Sequence, residues 1–143
     1  MAYACFGQKK YDMAEPTYQR LLALRIRSVG SAEHPVVAMT LDKIATFYAE
    51  QKKFDRATEA ADRANAIRTH FLSTGLAQQA TEQLAEGNKA EALALYQRAL
   101  KAMDPPNPIY DELRSDTENI VKSFAPPAVK LQKKASAPAT KKR

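Results

Sequence analysis

The stretch Gln8-Lys9-Lys10-Tyr11-Asp12-Met13-Ala14 returns, with one aromatic exchanged for another, as Gln51-Lys52-Lys53-Phe54-Asp55-Arg56-Ala57. Laid over one another at an offset of 43, residues Gln8 to Arg25 and Gln51 to Arg68 agree at 8 of 18 positions. A third copy is marked by Tyr18-Gln19-Arg20-Leu21-Leu22, which reappears as Tyr96-Gln97-Arg98-Ala99-Leu100, with Ala14 answered by Ala92. Repetition at a period of this length is the signature of stacked supersecondary units, each too small to hide its own apolar face.

The periodicity within the copies is helical. Leu41, Ile44, Ala45 and Tyr48 fall at i, i+3, i+4 and i+7, and Phe54, Ala57, Ala61, Ala64 and Ile67 draw a second stripe. Only Gln51 to Lys53 separates them, a connection so short that the two helices must pair antiparallel. His34-Pro35 reads as a helix start, with proline at a first position where no hydrogen bond is lost. Pro16 fits a helix that begins near Asp12, which leaves the proline in the first turn. Gly7, Gly30, Gly75 and Gly87 are expected at turns, and none belongs to a phosphate-binding loop. No alternating apolar pattern bounded by turns occurs, so strands are not expected.

Charge is distributed unevenly. The net charge is +6, but residues 1–124 carry 16 basic and 16 acidic groups, and the whole excess sits in Ala125 to Arg143. That tail is rich in Ala, Pro and Lys, a composition expected to remain disordered because it buries too little apolar surface to offset its ordering entropy. No apolar run approaches the roughly 18 residues of a membrane span, and the opening Met1 to Tyr11 does not read as a secretory signal. Cys5, the single cysteine, excludes an internal disulfide, and an intracellular, cytoplasmic location is the expectation.

Gly87 to Pro105, GNKAEALALYQRALKAMDP, resembles the second helix of a tetratricopeptide repeat: a small residue at the turn, alanine at the helix crossing, an aromatic one turn later, then Ala-Leu and Asp-Pro. AEPTYQRLLALR with EHPVVAMTLDKIATFY resembles the longer, roughly 42-residue variety of kinesin light chain. The resemblance implies an all-α, right-handed helical-repeat solenoid of about two and a half helix pairs over residues 1–106, divided as 1–30 (partial), 31–73 and 74–106, followed by a capping helix at 107–124 and the basic tail at 125–143. Ala14, Ala57 and Ala92 would stand where backbones cross, with Tyr18, Tyr48, Phe54 and Tyr96 filling the space around them. Gln79 and Gln83 depart from the family, which has large apolar residues there. With the first pair incomplete, Tyr18, Leu21 and Leu22 are expected at risk of exposure. For the cap, Asn107 reads as N-cap and Pro108 as N1, with Ile109, Leu113, Ile120 and Phe124 on one face.

No catalytic set converges in this sequence. His34 has a helix-start role, His70 is expected exposed, Cys5 reads as a small buried hydrophobe, and no two histidines share a helical face for a metal. The expectation is a non-enzymatic protein-protein interaction scaffold without cofactor or metal. The groove positions implied by the resemblance are Met39, Asp42, Lys43, Thr46 and Glu50 from one repeat and Gln78, Thr81 and Ala85 from the next, a mixed-charge set suited to an extended or helical peptide of another protein. The same residues would also occur on a plainly solvated helix face. One family subgroup clamps a C-terminal carboxylate with basic and asparagine residues. Only Lys43 answers to that set, and Asp42 beside it repels a carboxylate, so that ligand is not expected. An alternative makes the tail the working part, with Lys130, Lys133, Lys134, Lys141, Lys142 and Arg143 tethering nucleic acid non-specifically, or an anionic surface. Homo-oligomerisation through the incomplete N-terminal repeat is a third expectation.

Overall fold

A computed structural model describes residues 11–125. Within them the chain forms five helices and no strand: α1 (Tyr11–Val29), α2 (Pro35–Glu50), α3 (Phe54–Ala85), α4 (Lys89–Ala102) and α5 (Asp111–Phe124). The all-helical, hairpin-stacked architecture expected of a helical-repeat solenoid is the one observed.

Each helix end has a local cause. His34 caps α2, its Nδ1 accepting the Val36 N–H at 3.2 Å, and Pro35 opens the helix. After α1 the chain turns at Gly30, φ +71°, with the Gly30 N–H returned to the Ile26 carbonyl at 2.9 Å. The two tight connections, 51–53 and 86–88, are built alike. In the first the Lys53 N–H reaches back to the Tyr48 carbonyl and in the second the Asn88 N–H to that of Gln83, both at 2.9 Å. The left-handed residue at the centre of each turn is Lys52, φ 59°, in one and Gly87, φ 87°, in the other.

Three helices meet around Phe47, whose ring is fully buried and stacks obliquely on Tyr18, Tyr48 and Tyr11 at centroid distances of 5.2, 5.5 and 6.0 Å. Such aromatic contacts add to burial by roughly 0.5–1.5 kcal/mol per pair. Ala14, Val37, Leu41, Ile44, Ala64 and Ile67 complete this core. A second cluster joins Ala66, Ala99, Met103 and Tyr110, and a third joins Ala80, Ala92 and Tyr96 beneath Ile120 and Phe124 of α5. Ala14 and Ala92 are both fully buried, and Tyr18 and Tyr96 are both nearly so, so the first and third copies occupy like environments. Tyr18 is not exposed, its ring packed against Phe47 of α2; Leu21 and Leu22 are half-buried.

Several expectations are corrected. Gly75 lies inside α3, not at a turn, and α3 runs unbroken through 32 residues, about 48 Å at 1.5 Å per residue. Turning back at Gly75 would require large apolar side chains at 79 and 83 to pack on the first half of the helix. Gln79 is exposed and Gln83 half-buried there, so the helix carries straight on. The buried side of α3 therefore changes along its length: Ala60, Ala64 and Ile67 face α2, whereas Ser73 and Ala80 face α4, about 160° away at 100° per residue. Phe54 is 64% exposed instead of filling a crossing, since Phe47 already occupies the space between α1, α2 and α3. Pro16 lies within α1 beyond its first turn, and the N–H it lacks is the one that would bond the Asp12 carbonyl. Asn107 caps only the turn at 108–110, accepting the Ile109 N–H at 3.0 Å, and α5 starts at Asp111, because buried Tyr110 leaves helical geometry and donates its hydroxyl to the Pro105 carbonyl.

Candidate functional site

On α2 the residue period separates two sides cleanly. Val37, Thr40, Leu41, Ile44, Phe47 and Tyr48 are buried, whereas Met39, Lys43, Thr46 and Glu50 are exposed and stand on one stripe. Met39, with 62% of its surface accessible, is the one large apolar residue on that stripe. Asp42, half-buried at its edge, is paired with the Arg68 guanidinium from α3, and Arg68 is held in turn by Asn65 at 2.9 Å. The Thr46 hydroxyl is spent on the Asp42 carbonyl one turn back at 3.0 Å. At the edge of the stripe the charge of Asp42 is thus matched by Arg68, while Met39, Lys43 and Glu50 are offered to solvent.

The second expected group lies farther along α3. Gln78 donates to Glu82 at 3.4 Å; Thr81 bonds the Ala77 carbonyl and the Tyr96 hydroxyl, each at 2.9 Å; Ala85 is the last residue of the helix. Gln78 borders a cleft of about 330 Å³ between the start of α2 and the middle of α3, together with His34, Pro35, His70, Phe71 and Gly75. None of Met39, Asp42, Lys43, Thr46 or Glu50 lines that cleft, and neither do Thr81 or Ala85. The structure gathers the α2 group into one stripe and leaves Gln78 alone of the α3 group beside the start of α2.

Among the residues of this cleft, sequence reasoning passed over Phe71. Phe71 is 61% exposed and continues, at i+4 from Ile67, the side of α3 that α2 covers over its first half. The signal was the run Ala60, Ala64, Ile67, Phe71, which keeps helical spacing past the place where α2 begins. His70 is half-buried, not exposed: its Nε2 stands 3.8 Å from Glu33, and its Nδ1 is buried with no hydrogen-bond partner.

A second cleft, of about 310 Å³, separates α1 from α3 above Leu41, Ile44 and Tyr48. At its end Glu15 accepts from the Tyr48 hydroxyl at 3.0 Å and from Arg56 at 2.9 Å, and pairs with Lys53 at 3.5 Å. The Tyr48 hydrogen bond, aided by the charges of Lys53 and Arg56, holds the Glu15 carboxyl below its ordinary value of 4.5 against the opposing effect of desolvation.

Among the described residues no group of three or more His, Cys, Asp or Glu side chains could hold a metal ion, and no helix is long and apolar enough to cross a membrane. Cys5 and the tail residues Lys130, Lys133, Lys134, Lys141, Lys142 and Arg143 lie outside the described residues. No match was found among curated proteins. Residues 1–70 match the family model of the tetratricopeptide repeat, so the half of the chain that carries the phrase Gln8 to Arg25 and its echo is similar in sequence to that family.

Proposed function

We propose that this chain is a non-enzymatic interaction scaffold that holds an extended or helical segment of another protein along the exposed stripe of α2. Tetratricopeptide repeats generally mediate protein-protein interactions, and residues 1–70 match that family. The observation that carries the reading is the two-sidedness of α2: its inner face is fully packed, whereas Met39, Lys43, Thr46 and Glu50 form an uncovered outer stripe. A helix fixed this firmly has little backbone entropy left to lose on binding. Met39 supplies an adaptable apolar anchor, and the charges of Lys43 and Glu50, farther along the same stripe, suit a partner segment of mixed charge.

The test is site-specific photo-crosslinking. A photoreactive residue at Met39 is expected to capture the same partner repeatedly, at a defined peptide, and Lys43→Glu together with Asp42→Lys should lower its recovery by about tenfold. A control probe on α4 at exposed Arg98 should not capture it. Equal capture from both positions, or recovery unchanged by the charge reversals, would count against the α2 stripe.

A further inference from the structure

The polar network at the edge of the α2 stripe does not end at Arg68. Asp42 of α2 pairs with Arg68 of α3, and Arg68 donates to Asn65 at 2.9 Å. Arg68, Asn65 and Asp62 stand at steps of three residues, and each such step turns about 60° round a helix of 3.6 residues per turn, so they lead from the α2 edge of α3 to its opposite flank. On that flank lies a cleft of about 340 Å³ between α3 and the connection from α4 to α5. Its polar lining is Asp62, Asn65, Thr69, Asp104, Asn107 and Tyr110.

The cleft is acidic and has no cation in its wall. No Lys, Arg or His lines it, and Asp62 makes no ion pair among the described residues. Asp104, its side chain 70% exposed, is reached by Arg114 at 3.7 Å, but that guanidinium is also held by the Glu118 carboxylate at 3.1 Å and the Met103 carbonyl at 2.7 Å. Tyr110 feels the same field: its hydroxyl is pushed above 10.0, first by burial, with Asp111 and Asp104 acting in that direction and Arg114 against them. At the low end of the roughly 300–1,000 Å³ of ligand pockets, the cleft has room for one long side chain. Two carboxylates make it an acceptor for an ammonium or guanidinium group.

We infer that this cleft receives a lysine or arginine side chain of the same partner segment that lies on the α2 stripe, an inference that rests on the stripe being the binding surface. Continuity through Asp42, Arg68 and Asn65 joins the two places, and charge complementarity fixes what enters the second. From the outer side of α2 to the far flank of α3 is about two helix spacings of 8–10 Å, which an extended chain crosses in about five or six residues at roughly 3.3 Å each. The segment is therefore extended, with a large apolar residue for Met39 and for Leu72, 56% exposed at i+4 from Arg68, and a basic residue about five or six positions away. The chain's own Lys130, Lys133 and Lys134 are the rival cations.

The experiment pans a displayed library of random peptides of about twelve residues, twice the crossing length, on the full chain and measures the enriched peptides by fluorescence anisotropy. They are expected to share an apolar residue and a Lys or Arg separated by about five or six positions, and to lose about tenfold in affinity when that basic residue becomes Gln. Asp62→Asn with Asp104→Asn should bring a similar loss and a weaker salt dependence, whereas Asp116→Asn, on α5 and outside the cleft, should change nothing; all three positions are exposed. Neutralising Lys130, Lys133 and Lys134 to Gln in the full chain should leave the affinity as it is, and a rise would mean that the tail already fills the cleft, which overturns the inference. It is overturned equally if the enriched peptides carry no basic residue, or if the double Asn variant binds them like the parent while Met39→Ser weakens them, a result that leaves the α2 stripe in place. If Met39→Ser has no effect and the double Asn variant does, it is the α2 reading that fails, and with it the single segment spanning both places. A library that yields no binder sinks both.

Discussion

Lys52 adopts φ 59° in a turn whose counterpart, between α3 and α4, has Gly87 in the same role. A left-handed conformation brings the Cβ of any L-residue toward the following carbonyl, at a cost of about 1–2 kcal/mol that glycine avoids. Glycine in turn loses about 0.5–1 kcal/mol through the greater freedom of its unfolded chain. Lys52→Gly should therefore raise stability by a few tenths to about 1 kcal/mol, seen as a higher urea midpoint with an unchanged slope; a lower midpoint would show that the lysine side chain contributes something the turn needs. Glu15 offers a second test at this scale. Its folded carboxyl titrates below 4.5, chiefly because Tyr48 donates to it. The unfolded chain thus takes up the proton first as pH falls. The stabilisation is complete above the unfolded value of 4.5 and disappears as pH drops through the lower folded value. Glu15→Gln should flatten this part of the acid limb, and thermal melts between neutral pH and about pH 3, a pH below the ordinary glutamate range, would reveal it. An acid limb of unchanged steepness would mean that the cluster of Tyr48, Lys53 and Arg56 gains nothing from the charge.

At the scale of the element, α3 decides the shape of the molecule, and it is the helix the sequence describes least well. Its two ends were legible: the short connections at 51–53 and 86–88 are plain in the chain, and the stripe of Ala64 and Ile67 lies where the periodicity predicts it. Its continuity was not, because Ser73-Thr74-Gly75 has the composition of a turn, and only packing overrides it. The Ser73 hydroxyl finds the Ala99 carbonyl, the Thr74 hydroxyl finds that of His70, and Gly75 stays helical with open space where a Cβ would stand. Of the candidate surface, the α2 positions were implied by the resemblance to the repeat family, and the helix leaves Met39, Lys43, Thr46 and Glu50 exposed on one stripe. The cleft around Phe71 was not, since it exists only because α3 outruns α2. Gly75→Ala should stabilise the protein by about 0.5–1 kcal/mol through its helix propensity alone, whereas Gly75→Pro should destabilise it by about 3 kcal/mol or more. Circular dichroism melts of both variants distinguish a helix that is continuous in solution from one that turns at this point, where proline would be tolerated.

For the whole molecule, the consequence of a long shared helix is that its two halves are buried by different neighbours. The Phe47 core ties α1 and α2 to the first half of α3, and the Tyr96 core ties α4 and α5 to the second. The middle cluster of Ala66, Met103 and Tyr110 joins them through the end of α4. Stability in such an arrangement is close to a sum over neighbouring units, so a local defect should remain local unless α3 transmits it. Ala92 is the place to test this, since it is fully buried against the second half of α3. Ala92→Leu overpacks that contact and should cost about 1–3 kcal/mol. In native-state hydrogen exchange, amides of α4 and of the last three turns of α3 should lose protection while those of α2 keep theirs. Equal losses throughout would mean instead that α3 makes the two cores a single cooperative unit, and that a partner bound on α2 would also stabilise the far end beneath α5.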